Sequence, residues 1–271
     1  MIEVQEILAP ISLDLAQADT LTMLEKVIGI DRSQLPFHSS KELTTGQKKT
    51  LEIWCTTRLK GVPLPYVLGE TYFYNSTIKV NQHTLIPRPD TEHLIEAIIT
   101  TMPSTPLSFL ELGTGSGCIP RALIIEREHW QGVAVDVSEE ALTIAHTNNP
   151  TNVTFIQSNL FDKIEAAHQF DFIVSNPPYI PSKVVAEDLE PCVTDYEPLN
   201  ALDGGESGLE FYEYLATTGK SYLKPMGWLF LEIGYDQGES VPLLLSQNGW
   251  QNITLINDFG NRPRVVQAQL L

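Results

Sequence analysis

From about residue 105 onward, short apolar, β-branched runs alternate with stretches of helical character. The runs are Leu107–Leu112, Gly132–Val137, Val153–Gln157, Phe170–Ser175 and Trp228–Ile233. This alternation constrains the fold more than any other feature, because it predicts a parallel sheet with helices on both faces. A last pair of runs, Ile253–Asn257 and Val265–Leu270, predicts a closing hairpin. No internal repeat or low-complexity segment interrupts the pattern. In open α/β sheets, ligands sit at the carboxyl ends of the strands. The residues that follow each run are therefore the ones to read for chemistry.

The fourth run stops at Asn176-Pro177-Pro178-Tyr179. The prolines lack N–H donors and continue neither a ladder nor a helix. An amide and an aromatic ring are thus held on a stiff turn at a strand end. The carbonyl of the Asn176 side chain and that of Pro177 are acceptors without a local partner. Such a pair suits a substrate –NH2 group, which has two protons to offer. On its own, the segment also fits a plain strand–turn with an Asx-type bend.

The first run leads into Gly113-Thr114-Gly115-Ser116-Gly117, and a helix follows. Glycines permit a tight turn and let a ligand approach the backbone closely. Cys118 stands where a dinucleotide fingerprint wants glycine or alanine, which weakens a pyrophosphate reading. A turn without a ligand fits the same residues. The second run ends near Asp136, about 20 residues past the glycines, the spacing of an acid that binds ribose hydroxyls. Ser138 already offers a helix cap there, and Glu139-Glu140 suits a helix N-terminus. The third run ends at Ser158-Asn159-Leu160-Phe161, where the Asn159 amide suits an adenine edge and Leu160 its face. All four ends fall on one edge of one sheet.

Residues 1–70 read as a small helical domain. Leu21, Leu24, Val27 and Ile28 recur at helical spacing, and Gly29 is placed to stop that helix. A second helix is predicted from Thr45 to Lys60, ended by Gly61 and Pro63, with Trp54 in the core. Residues 71–90 read as a linker that opens with a hairpin: Tyr72-Phe73-Tyr74, a turn at Asn75-Ser76, then Thr77–Val80. Pro87 and Pro89 fix an extended stretch, and Asp90 or Thr91 is placed to cap a helix over 91–101. The remaining domain spans 91–271. His83, His93 and His129 read as surface or packing residues. Asp188, Glu190, Asp195 and Glu197 read as a solvated acidic loop.

The formal net charge of -17 argues against a phosphate-backbone partner, and no basic patch offsets it. Three cysteines, Cys55, Cys118 and Cys192, lack metal-ligand spacing and read as free thiols of a reduced compartment. No apolar run approaches the ~20 residues of a membrane span, and Met1-Ile2-Glu3-Val4 lacks a basic signal region. A cytoplasmic protein without membrane or nucleic-acid partners is expected. No apolar surface stripe stands out, which points to a monomer.

The order of these segments resembles class I S-adenosylmethionine-dependent methyltransferases. Asn176–Tyr179 is similar to the tetrapeptide of those that methylate an exocyclic or amide –NH2 nitrogen. Leu85-Ile86-Pro87-Arg88-Pro89-Asp90-Thr91-Glu92 resembles the linker of the peptide chain release factor glutamine methyltransferases. The same holds for Glu197-Pro198 with Ala201–Gly205, Leu231–Gly234 with Gln237-Gly238, and Asp258 with Gly260, Arg262 and Val265-Val266. This resemblance implies an α/β, Rossmann-like sheet, mostly parallel with a closing antiparallel hairpin, beside a small N-terminal helical domain.

It also implies S-adenosylmethionine over Gly113–Gly117, with its ribose on Asp136 and its adenine near Asn159 and Leu160. The implied substrate is the glutamine of the Gly-Gly-Gln loop in class I release factors. Asn176 and the Pro177 carbonyl would hold the amide N–H groups, with Pro178 and Tyr179 beside them. Two positions depart from the family pattern. Asn159 replaces a usual acid, so that Asn159→Asp is expected to tighten cofactor binding. Pro120 replaces a small helix former, which the first turn tolerates. Methylation of a ribosomal-protein glutamine and, more distantly, DNA adenine N6-methylation remain as alternatives.

Overall fold

The computed structural model describes residues 13–38, 42–149, 152–165, 167 and 169–271. Residues 1–12 and 39–41 of the expected helical domain lie outside the described residues. The chain divides into two compact units: Met1–Gly69 with Pro191–Tyr196, and Glu70–Glu190 with Glu197–Leu271.

The first unit is helical. Helix α1 spans Leu13–Ile28, α2 Thr45–Leu59 and α3 Leu64–Leu68. Gly29 ends α1 with φ of 72°, and its N–H donates to the Glu25 carbonyl at 2.9 Å. A reciprocal cap starts α2: the Thr44 side chain accepts from the Gln47 N–H, and the Gln47 side chain accepts from the Thr44 N–H. Gln47 Nε2 then donates to the Val27 carbonyl at 3.0 Å, which ties the start of α2 to the end of α1. Met23, Leu24, Leu35, Leu51 and Cys55 form the core, and Trp54 packs against it. Beside this core, Arg58 and Asp19 form an ion pair at 2.8 Å with both side chains largely buried.

The second unit opens with a hairpin of β1 (Glu70–Phe73) and β2 (Ser76–Lys79). Its turn is Tyr74-Asn75, one residue earlier than predicted. Both residues have positive φ, 38° and 58°, as a two-residue type I′ turn requires. Tyrosine rarely adopts that conformation, so the sequence pattern pointed to Asn75-Ser76 instead.

A single turn of 3-10 helix at Pro89–Thr91 follows, then α4 (Glu92–Thr101). Neither Asp90 nor Thr91 caps α4 with its side chain. The Asp90 carboxylate pairs with Arg264 at 3.0 Å, and the Thr91 hydroxyl accepts from Asn176.

The sheet has seven strands: β3 (Ser108–Leu112), β4 (Gln131–Asp136), β5 (Val153–Gln157), β6 (Phe170–Ser175), β7 (Leu223–Glu232), β8 (Gln251–Asn257) and β9 (Pro263–Gln269). Their spatial order is β5-β4-β3-β6-β7-β9-β8. The first five run parallel, and β9 and β8 close the sheet antiparallel. The strand order reverses between β3 and β6, which makes their carboxyl ends the crevice of the sheet. Strand β7 begins at Leu223, before the predicted Trp228. A bulge absorbs Lys224–Gly227, with Met226 at φ of 67°, so Pro225 and Gly227 do not end the strand.

Connecting helices are α5 (Cys118–Glu126), α6 (Glu139–Asn148), α7 (Ser182–Glu187), α8 (Glu210–Thr218) and α9 (Ser240–Gln247). One face of the sheet buries Leu110, Leu112, Ile173, Leu229 and Leu231 against Tyr212 and Leu215 of α8 and Val241 and Leu245 of α9. The other face stacks Phe109 on Phe172 at 5.4 Å, with Trp130 and Phe230 edge-on to Phe172. Helix α4 covers this face over β7 and β9. Among the described residues, no helix is long and apolar enough to cross a membrane.

Candidate active site

The carboxyl ends of β3, β4, β5 and β6 surround a cavity of about 220 Å³. Of the residues expected at a site, Gly113, Gly115, Asp136, Asn159, Leu160, Asn176 and Pro178 line it. Thr114, Ser116 and Pro177 are buried and do not. Gly117 and Tyr179 also stand outside the lining.

The glycines divide into two kinds. Gly113 and Gly115 have φ of 74° and 54° and face open space, so backbone conformation demands them and leaves room in front. Gly117 is demanded by packing as well. A Cβ there would stand 2.3 Å from Asn149 Nδ2 and 3.1 Å from Ala145 Cα, at the closest approach of α5 to α6.

Beneath the loop, Glu111 is fully buried and accepts a hydrogen bond from the Thr114 hydroxyl. Its second oxygen, Oε1, has no hydrogen-bond partner among the described residues. Burial pushes its pKa up to about 8, against the Thr114 bond, and nearby Asp136 adds to the rise. Cys118 follows at the start of α5. Burial raises its thiol to about 12, so it is no nucleophile.

Asp136 ends β4 and accepts from the Gly115 N–H at 2.8 Å and the Ser138 N–H at 3.0 Å. Burial nonetheless raises its pKa, and those backbone donors oppose the rise. Ser138 caps α6 by accepting from the Ala141 N–H at 3.0 Å, as its place in the sequence predicts. At the end of β5, Asn159 is exposed and donates to Asp162 Oδ2 at 3.3 Å. Ser158 shapes the turn through the Leu160 carbonyl and the Lys163 N–H, both at 3.0 Å, and Leu160 takes a φ of 48°.

The Asn176–Tyr179 turn is held from several sides. Asn176 Nδ2 donates to the Thr91 hydroxyl at 3.2 Å. Asn176 Oδ1 and the Pro177 carbonyl accept no hydrogen bond from any described residue. The Tyr179 carbonyl accepts from Gln237 Nε2 at 3.2 Å, and the same amide donates to the Gly208 carbonyl at 3.0 Å. Gln237 Oε1 in turn accepts from the Gly234 N–H at 2.9 Å. Ile180 bridges Asp203, with Ile180 N–H to Leu202 O at 3.1 Å and Gly204 N–H to Ile180 O at 2.8 Å. The Tyr179 hydroxyl is pushed up to about 12 by burial first and by Glu232 next, so it stays neutral.

Several residues of this site were not read as site residues from the sequence, His83 among them, which was read as a surface or packing residue. Phe211, Asn200, His83 and Leu85 line the cavity. Glu197 was read as solvated, yet it is buried: it accepts from the Ile86 N–H at 3.1 Å and pairs with Arg88 at 2.5 Å. That pair fastens the segment before α4 to the loop after the tetrapeptide. Its partner lies 109 positions away, beyond any local pattern. Glu232, at the end of β7, is buried beside Asn176.

Comparison with known proteins agrees with this arrangement. Residues 91–190 match the family model described as methyltransferase small domain, and residues 2–69 match the PrmC N-terminal domain. The chain is 37% identical over 257 residues to the release factor glutamine methyltransferase of Fusobacterium nucleatum, spanning 93% of this chain and 72% of the relative. It is 36% identical over 258 residues to that of Shewanella oneidensis, spanning 94% and 89%. The Thermodesulfovibrio yellowstonii protein of the same name is 35% identical over 274 residues, spanning 98% and 96%.

Solved structures match at the level of the fold. A ribosomal protein L11 methylase from Lactobacillus delbrueckii subsp. bulgaricus gives a TM-score of 0.51 at 20% identity, over 68% of this chain and 81% of that one. The hMettl16 catalytic domain gives 0.57 at 15% identity, over 84% and 83%. The class I methyltransferase sheet and the identity shared over 93–98% of this chain with these relatives lead to one assignment: the chain belongs to the release factor glutamine methyltransferases.

Proposed function

We propose that this protein methylates the side-chain amide nitrogen, N5, of the glutamine in the Gly-Gly-Gln loop of class I peptide chain release factors, with S-adenosylmethionine as methyl donor. The observation that carries this reading is the pair of unengaged acceptors, Asn176 Oδ1 and the Pro177 carbonyl, on a fixed turn of which Asn176 and Pro178 line the cavity.

The cavity suits the donor. Gly113 and Gly115 leave open space before the backbone, and Asp136 offers a carboxylate for ribose hydroxyls. Asn159 and Leu160 line the same cavity, which supports an adenine ring beside them. When bound, S-adenosylmethionine supplies an electrophilic sulfonium methyl group.

The protein's own part is orientation. An amide nitrogen is a weak nucleophile because its lone pair is delocalised into the carbonyl. Two acceptors that each take one N–H fix that nitrogen and favour positive charge developing on it. Tyr179 stays neutral and, behind the cavity lining, stiffens the turn that carries the two acceptors. The net charge of -17 argues against a nucleic-acid substrate and favours a basic partner surface. A cytoplasmic monomer completes the proposal.

Labelled methyl transfer tests it. A release factor should be labelled, and its Gly-Gly-Gln→Gly-Gly-Ala variant should not. Equal labelling of both, or of neither, overturns the assignment.

A further inference from the structure

Strands β6 and β7 run parallel, and Ser175 pairs with Leu231. The next residues, Asn176 and Glu232, therefore stand side by side where the two strands end. Glu232 is 1% exposed, and its oxygen Oε2 has no hydrogen-bond partner among the described residues. Its carboxylate stands near enough to the side chains of Thr91 and Asn176 for both to favour its charged form. Thr91 is 2% exposed and also accepts from Asn176 Nδ2 at 3.2 Å. The proposed chemistry assigns no role to this buried carboxylate.

The two ends of the asparagine amide differ little in size, so packing alone does not choose which faces the cavity. A hydroxyl does not choose either, because it both donates and accepts. An ionised carboxylate only accepts. If Asn176 turned over, Oδ1 would face that carboxylate, and its N–H groups would meet a substrate that also brings N–H groups.

We propose that Glu232 is a positioning residue for methyl transfer: its ionised carboxylate, with the Thr91 hydroxyl, holds Asn176 in the one orientation that presents Oδ1 to the substrate amide. The inference rests on the function proposed above and concerns the same site.

Protonation of Glu232 removes the selection, because a carboxylic acid also donates. Burial raises its pKa to about 7, opposed by the nearby Thr91 and Asn176 side chains and by the charge of Arg264. The other groups facing it are Asp90 before α4, Tyr179 on the tetrapeptide, Cys118 at the start of α5, and Tyr212 of α8, whose hydroxyl donates to the Glu232 carbonyl at 2.9 Å. Turnover should therefore rise with pH through neutrality as Glu232 ionises.

The test is Glu232→Gln, whose amide accepts or donates and so selects nothing. Turnover should fall about 10- to 100-fold, the weight of one charge-assisted bond. Cofactor affinity by calorimetry should stay unchanged, and the rise near neutrality should vanish. Glu232→Asp, which keeps an ionised acceptor, should retain more turnover than the glutamine variant. A second readout needs neither substrate nor variant. The side-chain NH2 resonances of Asn176 in the 15N spectrum of the wild-type protein should move with pH near neutrality. Wild-type turnover and pH profile in Glu232→Gln, or NH2 resonances indifferent to pH, overturn the inference. Should the wild-type protein label no release factor, the proposed function fails, and the Asn176 resonances still decide the role of Glu232.

Discussion

Gly204 lies against the backbone of Tyr179: a Cβ at position 204 would stand 2.7 Å from Tyr179 Cα and 2.8 Å from the Pro178 carbonyl oxygen. The Asp203–Gly208 loop thus rests directly on the tetrapeptide. Gly204→Ala pushes backbone on backbone, and no flexible side chain is there to yield. We predict a stability loss of about 1–3 kcal/mol, as overpacking costs. Methyl transfer should fall much further, with cofactor affinity in calorimetry nearly unchanged, because the glycine loop lies elsewhere on the sheet edge.

Gln237 makes a second prediction. Its side chain joins Tyr179, Gly208 and Gly234, and Gln237→Leu leaves two carbonyls and one N–H without a partner. Each buried unsatisfied group costs about 1–3 kcal/mol. Thermal unfolding should register the sum, and turnover should drop more than cofactor binding does. Gln237→Glu restores the acceptor but not the donors, so it should recover little.

Asp136→Asn keeps the shape of the β4 terminus and removes its charge. Cofactor binding should weaken by about 1.5–3 kcal/mol, the range of a hydrogen bond to a charged group. Calorimetry with S-adenosylmethionine measures this directly, and undiminished affinity would place the ribose elsewhere.

The expected gain from Asn159→Asp needs adjustment. Asn159 donates to Asp162 Oδ2, so an aspartate there faces another carboxylate. The single variant should bind cofactor about as tightly as the wild type, since exposed like charges oppose the gain by a few tenths of a kcal/mol. Asn159→Asp combined with Asp162→Asn should bind more tightly than either single variant.

Glu111 ties stability to pH. Its ordinary pKa is 4.5, and burial raises it to about 8. Between those values the folded protein holds a proton that the unfolded chain has released. Stability is therefore greatest at the acid end of this window and falls as pH rises through it. Glu232, raised from 4.5 to about 7, adds in the same direction. Thermal unfolding of Glu111→Gln should show a flatter dependence across this window than the wild type, with a higher midpoint at its alkaline end.

The order of strands and the residues at their ends were legible because hydrophobic alternation is local. Asp136 ends β4 and Asn176 follows β6, as read from flanking residues alone. What escaped was set by distant partners. Asp90 reads as a helix cap until Arg264 is seen beside it. Glu197 reads as solvated until Ile86 and Arg88 surround it. Glu232 lies in a segment that carried the family resemblance, but its place in the site had no local signature, since its neighbour Asn176 comes from a different strand. The early start of β7 was hidden because Pro225 and Gly227 look like breakers, whereas a bulge accommodates them. The Tyr74-Asn75 turn was misplaced by one residue because the sterically disfavoured choice is the one adopted.

The bond from Gln237 to the Tyr179 carbonyl spans 58 positions, always toward residues made later. A ribosome emits the tetrapeptide long before it emits that partner, or Glu232, or Arg264. Strand β7, which flanks the tetrapeptide strand, also arrives late. A nascent chain that has just exposed Asn176 holds the glycine loop and the acid of β4, yet lacks the groups that set its acceptors in place. The proposed donor-facing residues are therefore made before the groups that fix the proposed acceptors, so the Asn176–Tyr179 turn is set only after β7 and Gln237 have joined it.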